Sequence, residues 1–195
     1  MPRKKVLLTV TTYPLPSRSY DELVCTAGVL ENGEWIRIYP MPLSVLNDWK
    51  KYGKVRRTKY TWIELDLKER SDDIRPESYS PKDYEFNDLI IGEHLDTKGN
   101  WHHRKKYCLQ NVYTNMNKLI DDSRDPENKS LATFKPAKIN RLIIEKDNED
   151  WKPVWKALHQ QMSIFGDKRE NPKEVIPKVP YKFKYEFEDE TGKKR

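Results

Sequence analysis

The sequence predicts a mainly β protein, a β-rich α+β fold with a few short helices. Three stretches carry that expectation. Residues 20–40, YDELVCTAGVLENGEWIRIYP, set Asn32-Gly33 between two apolar runs rich in β-forming residues. Asn-Gly is the pair favoured by a two-residue type I′ hairpin turn, whose central positions both need φ > 0. In residues 62–67, Ile63, Leu65 and Leu67 alternate with Trp62, Glu64 and Asp66, the pattern of a half-buried strand. Residues 179–187 alternate strictly, so Val179, Tyr181, Phe183, Tyr185 and Phe187 share one face.

Taken in order, the chain opens with a β-branched apolar run, Val6 to Thr11, broken by Tyr13-Pro14-Leu15-Pro16-Ser17. The hairpin follows. A type I′ turn pairs Leu30 with Trp35, Val29 with Ile36, Gly28 with Arg37, Ala27 with Ile38 and Thr26 with Tyr39. One face then holds Cys25, Ala27, Val29, Ile36 and Ile38 and reads as core; the other holds Thr26, Gly28, Leu30, Trp35, Arg37 and Tyr39. Leu43, Leu46 and Trp49 recur at helical spacing, predicting a short helix over 43–52 that Gly53 ends. Residues 68–100 are polar and Pro-containing, with one apolar run at Leu89 to Ile91. A strand at 107–112, a helical turn at 115–122, a break at Asp125-Pro126 and a strand at 139–145 come next. Asp150 caps a helix whose stripe is Trp151, Val154, Trp155, Leu158, Met162 and Phe165. The final strand has no evident partner, so either the chain is shortened at its C-terminal end or another of its elements pairs there. Two modules are expected, a basic N-terminal β module over 1–125 and a C-terminal β/α module over 126–195.

At 36% hydrophobic and 35% charged residues, with mean hydropathy −0.97, the composition is polar for a globular protein. Six Trp, eleven Tyr and five Phe nevertheless argue against disorder and make aromatics the main core material. The net charge of +6 is unevenly placed. Residues 1–62 hold eleven Lys/Arg against five Asp/Glu and so account for all of it. Two cysteines, Cys25 and Cys108, make neither a disulfide framework nor a Cys-rich zinc site, which suits a reducing cytoplasm. The run Val6 to Val10 is too short for a signal-peptide core or a membrane span.

Trp35, Arg37 and Tyr39, with Tyr13, Arg18, Tyr20 and the basic cluster Lys50, Lys51, Lys54, Arg56, Arg57 and Lys59, form the leading candidate site. Single-strand binding needs flat rings on which bases stack and cations that follow the phosphates. Gly28, opposite Arg37 in this register, leaves the backbone approachable. The bland alternative is that strand aromatics are core and charge runs are solvated faces. Glu64, Asp66 and Lys68 share a strand face and allow a second reading, a Mg²⁺-dependent nuclease in which the carboxylates hold the metal. His94, His102, His103 and Cys108, with Asp96, suggest zinc, but their spacing fits no familiar metal motif. Glycine-rich phosphate loops, a G-x-S-x-G elbow and H-E-x-x-H are all missing, so no cofactor is expected. A third reading is a protein-interaction module, or self-association, through the C-terminal edge strand.

Several segments in order resemble a poorly characterised bacterial family with a dual OB-like domain. They are Thr11-Thr-Tyr-Pro-Leu-Pro-Ser17, Glu22-Leu-Val-Cys-Thr-Ala-Gly28, Trp35-Ile-Arg-Ile-Tyr-Pro40, Arg75-Pro-Glu-Ser-Tyr79, Ser130-Leu-Ala-Thr-Phe-Lys-Pro136 and Pro180-Tyr-Lys-Phe-Lys-Tyr185. The resemblance implies tandem OB-like small barrels. By analogy it implies nucleic-acid binding or sensing of low sequence specificity, in bacterial defence or conflict with mobile elements.

Overall fold

The structure, a computed structural model, describes residues 3–12, 15–16, 22–42, 45–47, 49, 57–153 and 177–195. In chain order the strands are β1 (Arg3–Thr11), β2 (Leu15–Pro16), β3 (Glu22–Leu23), β4 (Thr26–Val29), β5 (Trp35–Ile38), β6 (Thr61–Glu69), β7 (Ser78–Pro81) and β8 (Ile90–His94). They continue as β9 (Val112–Tyr113), β10 (Thr133–Phe134), β11 (Lys138–Lys146) and β12 (Tyr181–Glu188). Two helices lie wholly among the described residues, α1 (His102–Cys108) and α2 (Met116–Asp122).

Five of these strands close into a barrel. β1 lies antiparallel between β4 and β6, β5 pairs antiparallel with β4 and parallel with β7, and β7 pairs antiparallel with β6. Counting only the barrel strands in chain order, neighbours run 1-2-3-5-4 and return to 1. Closure leaves no open edge among them. β6 is long enough to serve three partners: its residues 62–66 face β1, while its other edge takes β8 near Thr61–Glu64 and β7 at Leu67–Glu69. The closing strand β7 reads Ser-Tyr-Ser-Pro, which carries no hydrophobic alternation, so its sequence does not announce a strand.

Val6, Leu8, Ile36, Ile38, Ile63, Leu65 and Leu67 fill the barrel with Met41, Leu46, Trp49 and Phe86, all of them buried. The predicted helix over 43–52 is seen where it is described: residues 45–47 and 49 are helical, and Leu46 and Trp49 face this core. A second cluster, Leu7, Val29, Trp62 and Leu95, lies on the barrel's outer side beneath Tyr107 and Cys108 of α1. Trp62 and Tyr107 meet edge to face with centroids 5.0 Å apart. β1 is thus buried on both sides, which is why Val6, Leu7 and Leu8 are all apolar. The buried Arg104 ties α1 down: its Nε donates to the Leu95 carbonyl at 2.8 Å, and its guanidinium lies 3.9 Å from the Tyr60 ring centroid. Residues 107–112 were expected to form a strand; Tyr107 and Cys108 instead end this helix, and the strand begins at Val112.

The hairpin exists, but its turn corrects the expected register. Gly33 N donates to the Leu30 carbonyl at 3.0 Å, Leu30 N donates to the Glu34 carbonyl at 2.8 Å, and only Gly33 of the Asn-Gly pair has positive φ, at 78°. This is a type I turn closed by a left-handed glycine, a three-residue loop rather than a type I′ pair. Partners therefore move by one: Val29 faces Trp35, Gly28 faces Ile36, Ala27 faces Arg37 and Thr26 faces Ile38. Such a shift exchanges the residues that share a face. Ile36 and Ile38 go inward on the side of Thr26 and Gly28, while Trp35 and Arg37 stand on the outer side with Ala27 and Val29. Gly28 serves packing. A Cβ there would clash with the Leu7 carbonyl oxygen and lie 2.7 Å from Val6 Cγ1, so the glycine lets β4 approach β1.

Beyond the barrel, β12 pairs antiparallel with β11 along its length, which supplies the partner the alternating strand lacked. Asp189, fully buried, fastens the end of β12 to α2: its carboxylate accepts from Thr191 N at 2.9 Å, from Thr191 Oγ1, from Arg195 Nη2 at 3.0 Å and from Met116 N at 3.4 Å. Most of the helix predicted from Trp151 lies outside the described residues.

Two outcomes follow from these contacts. Gly28→Ala should lower the stability of the chain by about 1–3 kcal/mol through overpacking, read as a lower urea midpoint at unchanged slope. The hydrogen bonds from Thr191, with those from Arg195, hold Asp189 down at about 2. An unfolded aspartate titrates at ~3.9, so this stabilisation is fully present above that pH and is lost as the pH falls towards the folded value. Thermal melts over that range should show Tm falling with acidification, and Asp189→Asn should flatten that limb.

Candidate functional site

The hairpin turn is gripped by the chain just after α1. Gln110 Nε2 donates to the Glu31 carbonyl at 3.0 Å, and a Cβ on Gly33 would lie 2.6 Å from Gln110 Cβ. This contact draws residues 111–113 across one end of the barrel. β9 then pairs in parallel with β10, Val112 facing Thr133 and Tyr113 facing Phe134, so residues 129–132 lie beside it. Between these segments and the barrel is a cavity of about 450 Å³. Lys4, Leu30, Ile36 and Tyr79 line it from the barrel side, Trp35, Pro76 and Glu77 from the rim, and Asn111, Tyr113, Lys129, Leu131 and Ala132 from across.

Three half-buried aromatic rings, Trp35, Tyr79 and Tyr113, are therefore paired with two cations. Lys4 Nζ lies 4.7 Å from the Tyr79 ring centroid and Lys129 Nζ 5.4 Å from that of Tyr113. Lys129 Nζ also donates to Tyr113 Oη at 2.8 Å, and Tyr113 Oη donates to Asp122 Oδ2 at 2.5 Å. The Tyr113 hydrogen bond raises the Lys129 ammonium above its ordinary value against the opposing effect of burial. Burial pushes the Tyr79 phenol up, and Glu69 adds to it. Both groups keep their ordinary charge states across the physiological range.

At the rim, Glu77 is 7% exposed. Its Oε1 accepts from Ser130 N at 2.8 Å and from Ser130 Oγ, and Ser130 Oγ accepts from Arg37 Nη2 at 2.9 Å. Arg37 N donates to the Glu77 carbonyl at 2.8 Å. Arg37, Glu77 and Ser130 thus lock three distant stretches together. Glu77 Oε2, Trp35 Nε1 and Arg37 Nε are buried and have no hydrogen-bond partner in the protein.

Of the residues singled out from sequence, Trp35 lines this cavity and Arg37 braces its wall through Ser130. Tyr39 is turned to a separate groove with Lys68, Ser71 and Asp72, where Arg70 lies 5.3 Å from its ring centroid. Gly28 is enclosed between strands. Arg57 and Lys59 are exposed, but they precede Tyr60, which bonds to Leu8 at the end of β1 away from Lys4. Tyr13, Arg18, Tyr20, Lys50, Lys51, Lys54 and Arg56 lie outside the described residues. Lys4, Glu77, Tyr79, Tyr113, Lys129 and Ser130 were missed. For Glu77, Tyr79 and Ser130 the available signal was that Arg75 to Tyr79 and Ser130 to Pro136 stood out in the family resemblance; Lys4, Tyr113 and Lys129 carried none.

For the metal readings, no group of three or more His, Cys, Asp and Glu side chains among the described residues is placed to hold an ion. Glu64 and Asp66 do share the half-exposed side of β6. His94 Nδ1 instead lies 3.1 Å from Thr61 Oγ1, and burial lowers its pKa. His102 and His103 sit on α1 with their ring centroids 6.3 Å apart. Burial raises the Cys108 thiol. No helix among the described residues is long and apolar enough to cross a membrane.

Residues 2–110, more than half of the chain, match the family described as Domain of unknown function (DUF8758). The chain belongs to the DUF8758 family. A second family, described as Domain of unknown function (DUF8757), matches residues 99–195, overlapping the first across α1 and Gln110. No curated protein and no solved structure matches the chain. The DUF8758 domain supplies Lys4, Trp35, Glu77 and Tyr79, and the DUF8757 match supplies Tyr113, Lys129 and Leu131, so the cavity is built by both.

Glu77→Ala removes the acceptor that holds Ser130 and, through it, Arg37. Because Ser130 is exposed and Arg37 half-buried, the loss should cost about 1 kcal/mol in chemical denaturation, the usual net worth of such hydrogen bonds.

Proposed function

We propose that this chain binds single-stranded DNA or RNA, with low sequence specificity, through the barrel mouth. The observation that carries the reading is the convergence of Trp35, Tyr79 and Tyr113 with Lys4 and Lys129 on one cavity at the end of a closed barrel. Rings of this kind stack on any base, and the ammonium groups meet the phosphates that flank it. The strand order 1-2-3-5-4, with barrel strands 3 and 5 parallel, supports an OB-type barrel, a scaffold that binds oligonucleotides among other ligands. Free Cys25 and Cys108 suit a cytoplasmic setting, and the family resemblance suggests a bacterial sensor or accessory factor in defence.

Fluorescence anisotropy with labelled oligo(dT) and oligo(U) over a salt series tests this. Trp35→Ala should weaken binding by about 1–3 kcal/mol, the worth of one stacked base. Lys4→Ala/Lys129→Ala should reduce the slope of log affinity against log salt. Affinity unchanged in both proteins would reject the reading.

A second reading, a protein-docking face, is favoured by the ribbon of β11 and β12, where Phe183 is 59% and Tyr185 61% exposed. Light scattering should then show concentration-dependent association that Phe183→Ser/Tyr185→Ser abolishes.

A further inference from the structure

We propose that the outer face of α1 is a second nucleic-acid contact, a basic track along which the strand held at the barrel mouth continues to Trp101. The proposal rests on the nucleic-acid reading above and adds what that reading leaves open, namely the route and length of the bound strand.

Charge is the first observation. Residues 97–120 contain five Lys/Arg and no Asp or Glu, although Asp and Glu make up 31 of the 195 residues. α1 lies inside this stretch and is two-sided. Arg104, Tyr107 and Cys108, spaced i, i+3 and i+4, turn to the barrel, while His102, His103, Lys105, Lys106 and Gln110 are exposed. Among the described residues no carboxylate lies within ion-pairing distance of Lys98, Lys105 or Lys106. Asp96 accepts from Thr97 N at 2.6 Å and from Thr97 Oγ1 at 3.5 Å, and Glu64 and Glu93 stand on the sheet side of the groove that His103 and Lys106 line. A row of unneutralised cations on an exposed helix face is complementary to a row of phosphates.

An exposed ring at the end of that row is the second observation. Trp101 is 49% exposed and has φ 64°, a left-handed conformation that bulky residues rarely adopt and that is found preferentially at functional sites. Tyr60 already meets the Arg104 guanidinium at 3.9 Å and stands edge-on to Trp101 with centroids 6.3 Å apart. The indole therefore keeps surface that the packing around Arg104 does not use, a platform on which a base can stack. Arg57 and Lys59, exposed just before Tyr60, bring two more cations to this end.

Continuity with the mouth is the third. From Trp101 to Gln110 the chain rises about 13 Å along the helix axis. Gln110 pins the far end to the hairpin turn, and Asn111 lines the mouth. A strand leaving the rings of Trp35 and Tyr113 thus meets Lys106, then Lys105, and reaches Trp101 and Lys98 after a few nucleotides. Its footprint falls within the roughly 4–16 nucleotides usual for one barrel of this type.

The test is anisotropy with labelled oligo(dT) of about four nucleotides, enough for the mouth alone, and of about twelve, enough to cover α1 as well. The longer strand should bind at least about tenfold tighter. Lys105→Ala/Lys106→Ala should lower its slope of log affinity against log salt by about 1.4, at about 0.7 for each single-strand phosphate contact, and leave the shorter strand unchanged. Trp101→Ala should weaken the longer strand at least about fivefold, the lower limit for one stacked base, and spare the shorter. Should Trp101→Ala unsettle α1 by thermal melt, the exposed lysine pair still decides. Wild-type affinity and salt slope for the longer strand in the lysine variant, or equal losses for both lengths, overturn the proposal. Loss of binding to vesicles of anionic lipid in that variant, with the longer strand bound as before, overturns it in favour of a membrane surface. Length-independent binding that Trp35→Ala weakens refutes the track and leaves the mouth reading standing. Binding of the longer strand that Trp35→Ala spares and the lysine variant weakens does the reverse.

Discussion

The hydrogen bond from Gly33 N to the Leu30 carbonyl sets the geometry on which the rest of the structure depends. It closes the turn with one left-handed residue, and that choice fixes which residues of β5 look into the barrel. With Ile36 and Ile38 inside, the barrel interior is apolar throughout this strand. Trp35 and Arg37 are then committed to the outer side, where Ser130 meets Arg37 and the residues around Tyr113 face Trp35. A turn with one residue fewer would exchange these roles and place an arginine in the core, at a prohibitive desolvation cost.

The same turn is also a docking point. Gln110 packs against Gly33 and bonds to Glu31, so the chain leaving α1 is held over the barrel end. The short parallel pair of β9 and β10 follows from that placement, and the Glu77–Ser130–Arg37 network closes the other side. Four buried apolar strands thus support a rim that is polar and only partly satisfied. The contrast has a physical basis. Interior positions are selected by volume and hydration, whereas Glu77 and Trp35, which line the cavity, each hold a buried polar atom with no hydrogen-bond partner in the protein.

Much of the fold was legible in the residues. Alternation at Ile63, Leu65 and Leu67, the β-branched run after Lys5 and the alternating aromatics of β12 each mark a strand, because side-chain period and one-sided burial are local properties. Asn115 likewise caps α2 where a helical turn was expected, its Oδ1 accepting from Asn117 N at 3.0 Å. β7 was not legible, since Ser-Tyr-Ser-Pro owes its extended form to pairing with β5 and β6. Of the site, Trp35 was legible as an aromatic beside a cation on a strand. Glu77 and Ser130 were not, because a single glutamate and a single serine carry no pattern and acquire meaning only from each other.

The sequence by itself determined the β-rich class, the hairpin, the alternating strands and the identity of most core residues, since these depend on the chemistry of neighbours a few positions apart. The tertiary structure decided the one-residue register of that hairpin, the closure of the barrel through β7 and the meeting of Trp35, Glu77, Tyr113 and Lys129 around one cavity. Register turns on which of two similar turns the glycine closes, and closure on pairings between segments tens of residues apart. Both are settled by packing and hydrogen bonds that form only when the whole chain has come together.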